Sequence, residues 1–334
     1  MIARTDGPPV TISGLGTHVP RRAMTNDELA ELVDTSDAWI RDRTGIRERR
    51  IAAPEEAMSD LALPAAERAL ADAGVEGSAL DLIVVATVTP DFAFPATAVI
   101  LADRLGADTA AAYDLSAGCT GFMYALAQAH AMVAAGLAGR ALVVGGDILS
   151  RVLDWNDRST AVLFGDGAGA VVIERAATGG FLGFNLGADG AGAGELLLPG
   201  SGSRTFPAGR RFLEMNGREV FKFATRVMVS SAEAVLETCG KTVADVEVYV
   251  PHQANIRIIE HAVRKLGVAE DRVVVNVDRY GNTSSGSIPL ALADAAADGW
   301  LKPGTLVLMT GMGAGLTWGS ALIEWTHLPD GASE

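Results

Sequence analysis

The sequence predicts an α/β protein with two similar halves, residues 1–178 and 179–334. Three observations support this fold class. Strand patterns and helix patterns alternate along the whole chain, as they do in mostly parallel sheets covered by helices. The order of these patterns in the first half is repeated in the second half. A chain of 334 residues is also longer than one ordinary core requires.

Two pairs of segments carry the repeat. Residues 80–105 match residues 246–266, because both segments run as a strand, a loop containing proline, and a helix. Residues 111–146 match residues 273–311, because both segments run as a strand, a turn after an aspartate, a helix and a glycine-containing strand. In such sheets ligands bind beyond the carboxyl ends of strands, so we expect the functional residues in the turns that follow strands.

Local patterns in the first half predict the individual elements. Thr25 and Glu28 form a capping-box pattern at the start of a helical segment. Residues 80–89 are rich in β-branched side chains, as in a strand covered on both faces. The predicted strands are 9–19, 80–89, 111–115, 141–146 and 164–174, and the predicted helices are 25–43, 59–73, 96–105 and the segment after Cys119.

The second half follows the same order. Residues 181–190 begin a strand pair, and residues 217–239 form a long helix with apolar side chains near one face. The predicted elements that follow are a strand at 246–255 ending in a Pro-His turn, a helix at 256–266, a strand leading into a polar turn at 273–285, a helix through Ala297, and a strand, glycine loop and closing strand at 305–325.

Composition narrows the class of protein. The chain is 49% hydrophobic and 20% charged, so it can bury a large core, and it has no apolar run long enough for a transmembrane helix. The N-terminal residues lack the apolar segment of a signal peptide, and 2 cysteines are too few for a disulfide framework, so we expect a cytoplasmic protein. A net charge of −14 argues against nucleic acid and anionic membranes as partners. The histidines show no metal-ligand spacing, so we expect no metal or cofactor.

Cys119 is the first candidate for chemistry. It follows residues 111–115, which we expect to be the end of a buried strand, and lies in the first turn of an alanine-rich helix. Unpaired N–H groups and the helix dipole at that position favour a thiolate, and we expect its pKa to be lowered from about 8.5 into the range of about 3.5–7.5. The alternative is a buried structural cysteine, a common environment for this residue. Cys239 precedes a glycine that ends a helix, and we interpret it as structural.

His252 and Asn282 lie in two other turns at strand ends. A neutral imidazole and a side-chain amide both donate hydrogen bonds, and two donors aimed at one oxygen stabilise an oxyanion or enolate. The alternative for each residue is structural: His252 as a turn histidine bonded to backbone, and Asn282 as a helix-capping residue. Gly311, Gly313 and Gly315 resemble a nucleotide-binding loop, but a strand follows them, so we reject that interpretation.

Several motifs then identify a family resemblance. They are VDTSDAWIRDRTGIRERRIA (33–52), SAGCTGFMYAL (116–126), DWNDRSTAVLFGDGAGA (154–170), MNGREVFKFA (215–224), VPHQANIRIIE (250–260), DRYGNTSSGSIPLAL (278–292) and GAGLTWGSALI (313–323). In these segments the chain resembles the β-ketoacyl-acyl-carrier-protein synthase III family of the thiolase superfamily. The resemblance implies the five-layer αβαβα thiolase-like fold with two duplicated halves, a homodimer, and a catalytic triad of Cys119, His252 and Asn282.

The reaction implied by the resemblance is a decarboxylative condensation that initiates fatty acid synthesis. An acyl-CoA primer acylates Cys119, malonyl-acyl-carrier protein binds next, and His252 and Asn282 stabilise the enolate that forms when CO₂ is lost. That carbanion attacks the acyl-enzyme to give a 3-ketoacyl product. The backbone N–H groups of Cys119 and Ala314 are implied to hold the tetrahedral oxyanion.

The resemblance also gives roles to residues outside the triad. It implies that Trp39, Arg43, Arg158 and Asn255 bind CoA, although a charge run such as 41–51 is usually a solvated surface. A basic group, with ordinary helix-surface charge as the alternative, is implied to dock the acidic carrier protein; it comprises Arg218, Lys222, Arg226, Arg257, Arg264 and Lys265.

Two apolar residues are assigned to the primer pocket by the same resemblance. Phe94 matches a residue that reaches into the partner subunit's pocket and limits acyl length, and its alternative is ordinary core. Met312 stands where the family more often has phenylalanine beside the cysteine, a departure that reshapes the site.

Other functions on the same fold compete with the initiating synthase. One is a starter-unit synthase or acyltransferase of a secondary, polyketide-type pathway, which only substrate tests separate. Another is a non-catalytic partner subunit, which the presence of Cys119 with both donors disfavours. A cysteine hydrolase is disfavoured because no carboxylate is identifiable as a partner of His252.

Overall fold

The structure is a computed structural model that describes residues 1–200, 202–204 and 210–327. Its helices are α1 (Asn26–Ala30), α2 (Asp37–Thr44), α3 (Met58–Ala73), α4 (Thr97–Arg104), α5 (Gly121–Ala134), α6 (Arg158–Ala161), α7 (Gly217–Thr238), α8 (Ile256–Leu266), α9 (Val277–Tyr280) and α10 (Ser287–Ala297). Its strands are β1 (Ile2–Arg4), β2 (Val10–His18), β3 (Arg22–Thr25), β4 (Glu48–Ile51), β5 (Leu82–Ala86), β6 (Ala111–Leu115), β7 (Arg140–Asp147), β8 (Gly167–Arg175), β9 (Gly180–Ala188), β10 (Leu196–Leu197), β11 (Glu214–Met215), β12 (Val248–Pro251), β13 (Leu306–Gly313) and β14 (Thr317–Glu324).

Two five-stranded sheets form the framework. The first has the order β2-β8-β7-β5-β6, and the second has the order β1-β9-β14-β13-β12. In the first sheet β5 is parallel to both β6 and β7, and the other pairs are antiparallel. In the second sheet β12 is parallel to β13, and the other pairs are antiparallel. The predicted parallel strands are therefore found at β7, β5 and β6 in the first sheet and at β12 and β13 in the second. The remaining strands of both sheets pair antiparallel, which the sequence pattern did not predict.

The two faces of each sheet pack against different helices. Along β5, Leu82 and Val84 join a central core with α5 and α10, whereas Ile83 and Val85 face α3 and α4. The central core continues across α5 and α10 to the second sheet, whose opposite face packs against α7 and α8. The layers are therefore helix, sheet, helix, sheet, helix, and the five-layer αβαβα fold is confirmed.

The proposed boundary between the halves falls between β8 and β9. The strand β1 crosses it, since Ile2–Arg4 pairs antiparallel with β9 in the second sheet. Among the described helices none is both long enough and apolar enough to span a membrane.

Three predicted elements differ from the structure. The helix predicted at 25–43 is divided into α1 and α2; Thr25 caps α1 through the predicted capping box, and Ser36 caps α2 separately. The strand predicted at residue 273 is reduced to an isolated bridge between Tyr249 and Val273. The chain leaves the sheet there because the Gln253 side chain accepts the next N–H groups, those of Asn276 and Val277.

The third difference concerns β6, which we expected to be buried. Ala111 is exposed and the other four residues are half-buried, because β6 is the last strand of the first sheet and, among the described strands, pairs only with β5. The Asp114 carboxylate nevertheless has hydrogen-bond partners, because it accepts from the N–H groups of Thr97 and Ala98 at the start of α4.

Candidate active site

Three turns, two of them at the carboxyl ends of strands, converge on one cavity. Cys119 follows β6, His252 follows β12, and Asn282 lies in the turn between α9 and α10. All three line a cavity of about 510 Å³, within the range of a small-molecule site. The fold thus brings the predicted triad together from both halves of the chain.

Cys119 lies at the floor of this cavity in a short 3₁₀ turn, Gly118–Thr120, directly before α5. Its side chain is buried, and desolvation raises the pKa of the thiol to about 11. The nearby Asp147 carboxylate acts in the same direction, and a hydrogen bond from the Ser284 side chain offsets only part of the effect. The expected lowering of the Cys119 pKa is therefore wrong, because burial outweighs the position at the start of a helix.

His252 presents one ring nitrogen to the protein and leaves the other unpaired. Its Nδ1 lies 2.7 Å from the Ser287 hydroxyl, and its backbone N–H donates to Thr310 O at 2.8 Å. Among the described residues its buried Nε2 has no hydrogen-bond partner. Burial lowers the pKa of His252 to about 4, so the ring is neutral at pH 7. An unpaired buried ring nitrogen in a cavity wall is available to a ligand.

Asn282 is held by its backbone and oriented by its own side chain. Its N–H donates to Leu163 O at 2.8 Å and its carbonyl accepts from Gly165 N at 3.0 Å. Its Oδ1 accepts the N–H of Ser284 at 2.9 Å. Since the amide oxygen is occupied, the amide nitrogen is the end left to donate into the cavity.

The backbone of Cys119 lies against the loop that contains Ala314. A Cβ at Gly313 would lie 2.5 Å from the Cys119 nitrogen, and a Cβ at Gly118 would lie 2.7 Å from the Ala314 nitrogen. Glycine at both positions therefore permits the two loops to approach one another closely. The hydroxyls of Thr120 and Thr317, 2.6 Å apart, connect the same two loops.

The mouth of the cavity is aromatic and basic. Trp39 lies there partly exposed, with the guanidinium carbons of Arg43 and Arg158 at 5.9 and 4.9 Å from its ring centroid. Arg158 also donates to Asp34 O at 2.9 Å. Asn255 caps α8 by accepting Arg257 N–H at 2.9 Å, and it also lines the cavity.

The predicted basic group is divided by the structure. Arg218 and Arg257 line the cavity mouth, and Arg257 donates to the Asp42 carboxylate at 3.0 Å. The other members are exposed on α7 and α8; they are Lys222 and Arg226 on α7, and Arg264 and Lys265 in the last turn of α8. Lys222 also forms an ion pair with Glu219 at 3.8 Å.

The two residues assigned to the primer pocket lie apart. Met312 is buried among Phe223, Ala254 and Ile258 and lines the Cys119 cavity. Phe94 is 86% exposed, so the core alternative is wrong. It lines a separate cavity of about 910 Å³ beside β6.

Four buried polar residues that support the triad were not predicted from the sequence. Asp147, Gln253, Ser285 and Ser287 are each buried and hydrogen-bonded around the three turns. A signal was present for Asp147, because an aspartate directly after a buried strand has to be paired. Among the described residues no cluster of three or more side chains suited to a metal ion is found.

The fold, the cysteine and the two donors define an acyltransferase of the condensing-enzyme class. Models of 3-oxoacyl-[acyl-carrier-protein] synthase III match residues 113–190, and models of the C-terminal part of that family match residues 236–325. The β-ketoacyl-[acyl-carrier-protein] synthase III of Symbiobacterium thermophilum is 53% identical over 95% of this chain and 98% of that protein.

Solved structures of related proteins indicate the same family. The β-ketoacyl-[acyl-carrier-protein] synthase III of Thermus thermophilus is 51% identical, covers 94% of this chain and 99% of its own, and superposes with a TM-score of 0.89. The priming β-ketosynthase of the R1128 polyketide pathway is 39% identical, covers 97% of this chain and 98% of its own, and gives a TM-score of 0.91. The chain belongs to the 3-oxoacyl-[acyl-carrier-protein] synthase III family.

The high pKa of Cys119 predicts that its thiol reacts slowly with alkylating reagents at neutral pH. In a Cys239→Ser background, iodoacetamide should alkylate Cys119 slowly at pH 7, because the thiolate fraction is small below a pKa of about 11. The alkylation rate should rise about tenfold per pH unit from pH 7 to pH 9. A Cys119→Ser change in the same background should remove the label, and a plateau of the rate below pH 8 would contradict the burial argument.

Proposed function

We propose that this chain condenses an acyl-CoA primer with malonyl-acyl-carrier protein, releasing CO₂ and forming a 3-ketoacyl-carrier protein in the initiating step of fatty acid synthesis. The observation that carries the proposal is the meeting of Cys119, the unpaired His252 Nε2 and the free end of the Asn282 amide on one cavity. Family membership supports the reaction class.

The first half-reaction transfers the acyl group to the enzyme. The Cys119 sulfur attacks the thioester carbon, a tetrahedral oxyanion forms, and the CoA sulfur leaves with the proton that Cys119 gives up. The N–H groups of Cys119 and Ala314 are the proposed donors to the oxyanion, since the glycines beside them permit the close approach of the two loops. Because the resting thiol is protonated, loss of its proton belongs to this step rather than preceding it.

The second half-reaction forms the carbon–carbon bond. Cleavage of the malonyl carboxylate releases CO₂ and leaves an enolate on the thioester oxygen. His252 Nε2 and the Asn282 amide are the proposed donors to that oxygen. A neutral His252 suits this role, because a donor that keeps its proton stabilises the enolate without ending it by protonation. The enolate carbon then attacks the acyl-enzyme, and the Cys119 thiolate leaves and recovers a proton from solvent.

The mouth of the cavity suits the primer thioester. Trp39 offers an aromatic face for the adenine of CoA, and Arg43 and Arg158 offer charge for its phosphates. Asn255 lines the same cavity, and its amide nitrogen is the proposed donor to the pantetheine arm. Thioester substrates and side-chain chemistry suffice for both half-reactions, so we propose that the enzyme uses no metal or other cofactor.

We also propose that the basic group around the mouth receives the carrier protein. Arg218 and Arg257 border the opening through which the malonyl arm would enter, and Lys222, Arg264 and Lys265 are exposed on the adjacent helices. On a chain with net charge −14, exposed cations beside the opening give an acidic partner a preferred place to bind.

A homodimer through β6 is the proposed assembly. The free edge of β6 lies beside the exposed side chains of Phe92, Phe94 and Val99, and a second strand would cover this edge. The free cysteines suit a reducing compartment, and we place the enzyme in the cytoplasm.

A second candidate function is supported by one comparison. The priming β-ketosynthase of the R1128 polyketide pathway shares the fold at a TM-score of 0.91. A starter-unit synthase or acyltransferase of that kind would use the same triad. The two functions differ in the primer used and in whether condensation follows acyl transfer.

The half-reactions separate the roles of the triad. Cys119→Ala should abolish acyl transfer. His252→Ala and Asn282→Ala should retain acylation of Cys119 from acyl-CoA but lower malonyl decarboxylation by about 10²–10³-fold, because each removes one donor to the enolate. Radiolabelled acyl transfer and CO₂ release measure the two steps. Equal loss of both steps in the His252 and Asn282 variants would contradict this division.

Condensation with a panel of primers tests the function itself. Malonyl-carrier protein would be combined with acyl-CoAs from acetyl to octanoyl and with isobutyryl-CoA, and CO₂ and the 3-ketoacyl product would be followed. Efficient use of acetyl or a short branched primer is the expected result. Acylation of Cys119 with no CO₂ and no ketoacyl product would instead identify an acyltransferase.

The dimer proposal predicts the effect of charge at the exposed patch. Sedimentation of the wild-type chain should give a dimer, and Phe94→Asp should shift it toward monomer because a carboxylate would be buried against apolar side chains. Leu137→Asp is the matched control, since Leu137 is also apolar and is 75% exposed, but lies at the opposite ends of the strands. A wild-type monomer, or equal shifts in both variants, would refute the β6 interface.

A further inference from the structure

Ser287 contacts the catalytic turn through two hydrogen bonds. Its hydroxyl lies 2.7 Å from His252 Nδ1 and 2.8 Å from the backbone nitrogen of Gln253. Ser287 is the first residue of α10, and Ser287, His252 and Gln253 are all buried, each about 1% exposed. The geometry therefore excludes bulk water from this contact, and each proton in it needs a protein partner.

The protons in this contact can be counted. A serine hydroxyl has one proton to donate and two lone pairs to accept with. The Gln253 N–H can only donate, so it occupies one lone pair. If Nδ1 of His252 also carried a proton, the hydroxyl would accept twice and its own proton would need another acceptor. Among the described residues the Ser287 hydroxyl has no further hydrogen bond.

We propose that Ser287 is a positioning residue that donates its hydroxyl proton to His252 Nδ1 and thereby fixes the tautomer with the proton on Nε2. In that tautomer the proton is on Nε2, which has no partner among the described residues, in a side chain that lines the cavity. The opposite tautomer would present a lone pair to the enolate oxygen and repel it. This inference rests on the proposed role of His252 as an enolate donor.

Gln253 makes the arrangement rigid. Its side-chain nitrogen donates to the carbonyls of Pro251 at 2.8 Å and Val274 at 3.0 Å. Its side-chain oxygen accepts the N–H groups of Asn276 at 2.9 Å and Val277 at 3.2 Å. With both ends of the amide engaged, the Gln253 backbone N–H is held toward Ser287, and the serine is left to donate in one direction only, toward His252.

The tautomer is measured directly by NMR of the histidine side chains. In the wild-type chain labelled with ¹⁵N-histidine, His252 should show a pyridine-like Nδ1 and a pyrrole-like Nε2 at pH 7, with the signals assigned by their absence in His252→Ala. In Ser287→Ala the ring should populate both tautomers, and Ser287→Thr, which keeps the hydroxyl, should restore the wild-type pattern.

The kinetic effect should fall on one half-reaction. Ser287→Ala should lower decarboxylation by about 10–100-fold, less than loss of the donor itself, and should leave acylation of Cys119 within about twofold of wild type. Ser287→Thr should recover most of the lost rate. Ser231→Ala is the matched control, because Ser231 is also a buried helical serine bonded to another hydroxyl, Ser320 at 2.6 Å, and should change neither the tautomer nor the decarboxylation rate.

The outcomes distinguish this inference from the proposed function. A pyrrole-like Nδ1 in the wild-type chain would overturn the tautomer assignment without any variant. An unchanged His252 tautomer in folded Ser287→Ala would overturn the role of Ser287. Normal decarboxylation by His252→Ala would instead refute the donor role of His252, while the NMR result on Ser287 would stand by itself.

Discussion

The site depends on a buried carboxylate that accepts hydrogen bonds from both halves of the chain. Asp147 ends β7 with no exposed surface, and it accepts from Thr87, Val88 and Thr89 in the first half. From the second half the Ser285 hydroxyl lies 3.1 Å from its carboxylate and 2.7 Å from the Ala86 carbonyl. Asn282 lies three residues before Ser285, so the same contact that joins the halves places the Asn282 turn over Cys119. Burial raises the pKa of Asp147, and the converging donors act against that rise.

Burial also determines the charge state of the reacting groups. It raises the pKa of Cys119 and lowers the pKa of His252, so at neutral pH both side chains are uncharged. Cysteine–histidine enzymes that work as thiolate–imidazolium pairs need both side chains to be charged. A neutral pair suits a site where the histidine donates a hydrogen bond to an enolate and does not take the proton of the thiol. The neutral state therefore agrees with condensation better than with hydrolysis.

The sequence predicted the parts of the site that depend on local pattern. Strands followed by turns could be recognised around Cys119 and His252, and the repeat predicted that these turns meet. The pKa of Cys119 could not be predicted, because it depends on how completely the second half covers the thiol. The edge position of β6 depends on strand order. A segment such as Ala111–Leu115 has the same residue pattern whether it forms an edge strand or a central strand, so the sequence does not distinguish the two. Ser287 could be recognised only as part of the motif at 278–292, because its partners His252 and Gln253 lie on a different turn.

The two proposed anion sites differ in how they depend on the fold. Both enolate donors come from the second half, where His252 bonds to Ser287, but the Asn282 backbone bonds to Leu163 and Gly165 in the first half. The oxyanion site for acylation instead takes one N–H from Cys119 in the first half and one from Ala314 in the second. Its dimensions depend on the packing between the halves, where Gly118 and Gly313 already leave no room for a Cβ. A small displacement of one half against the other would therefore change the oxyanion site and would also shift Asn282 relative to His252.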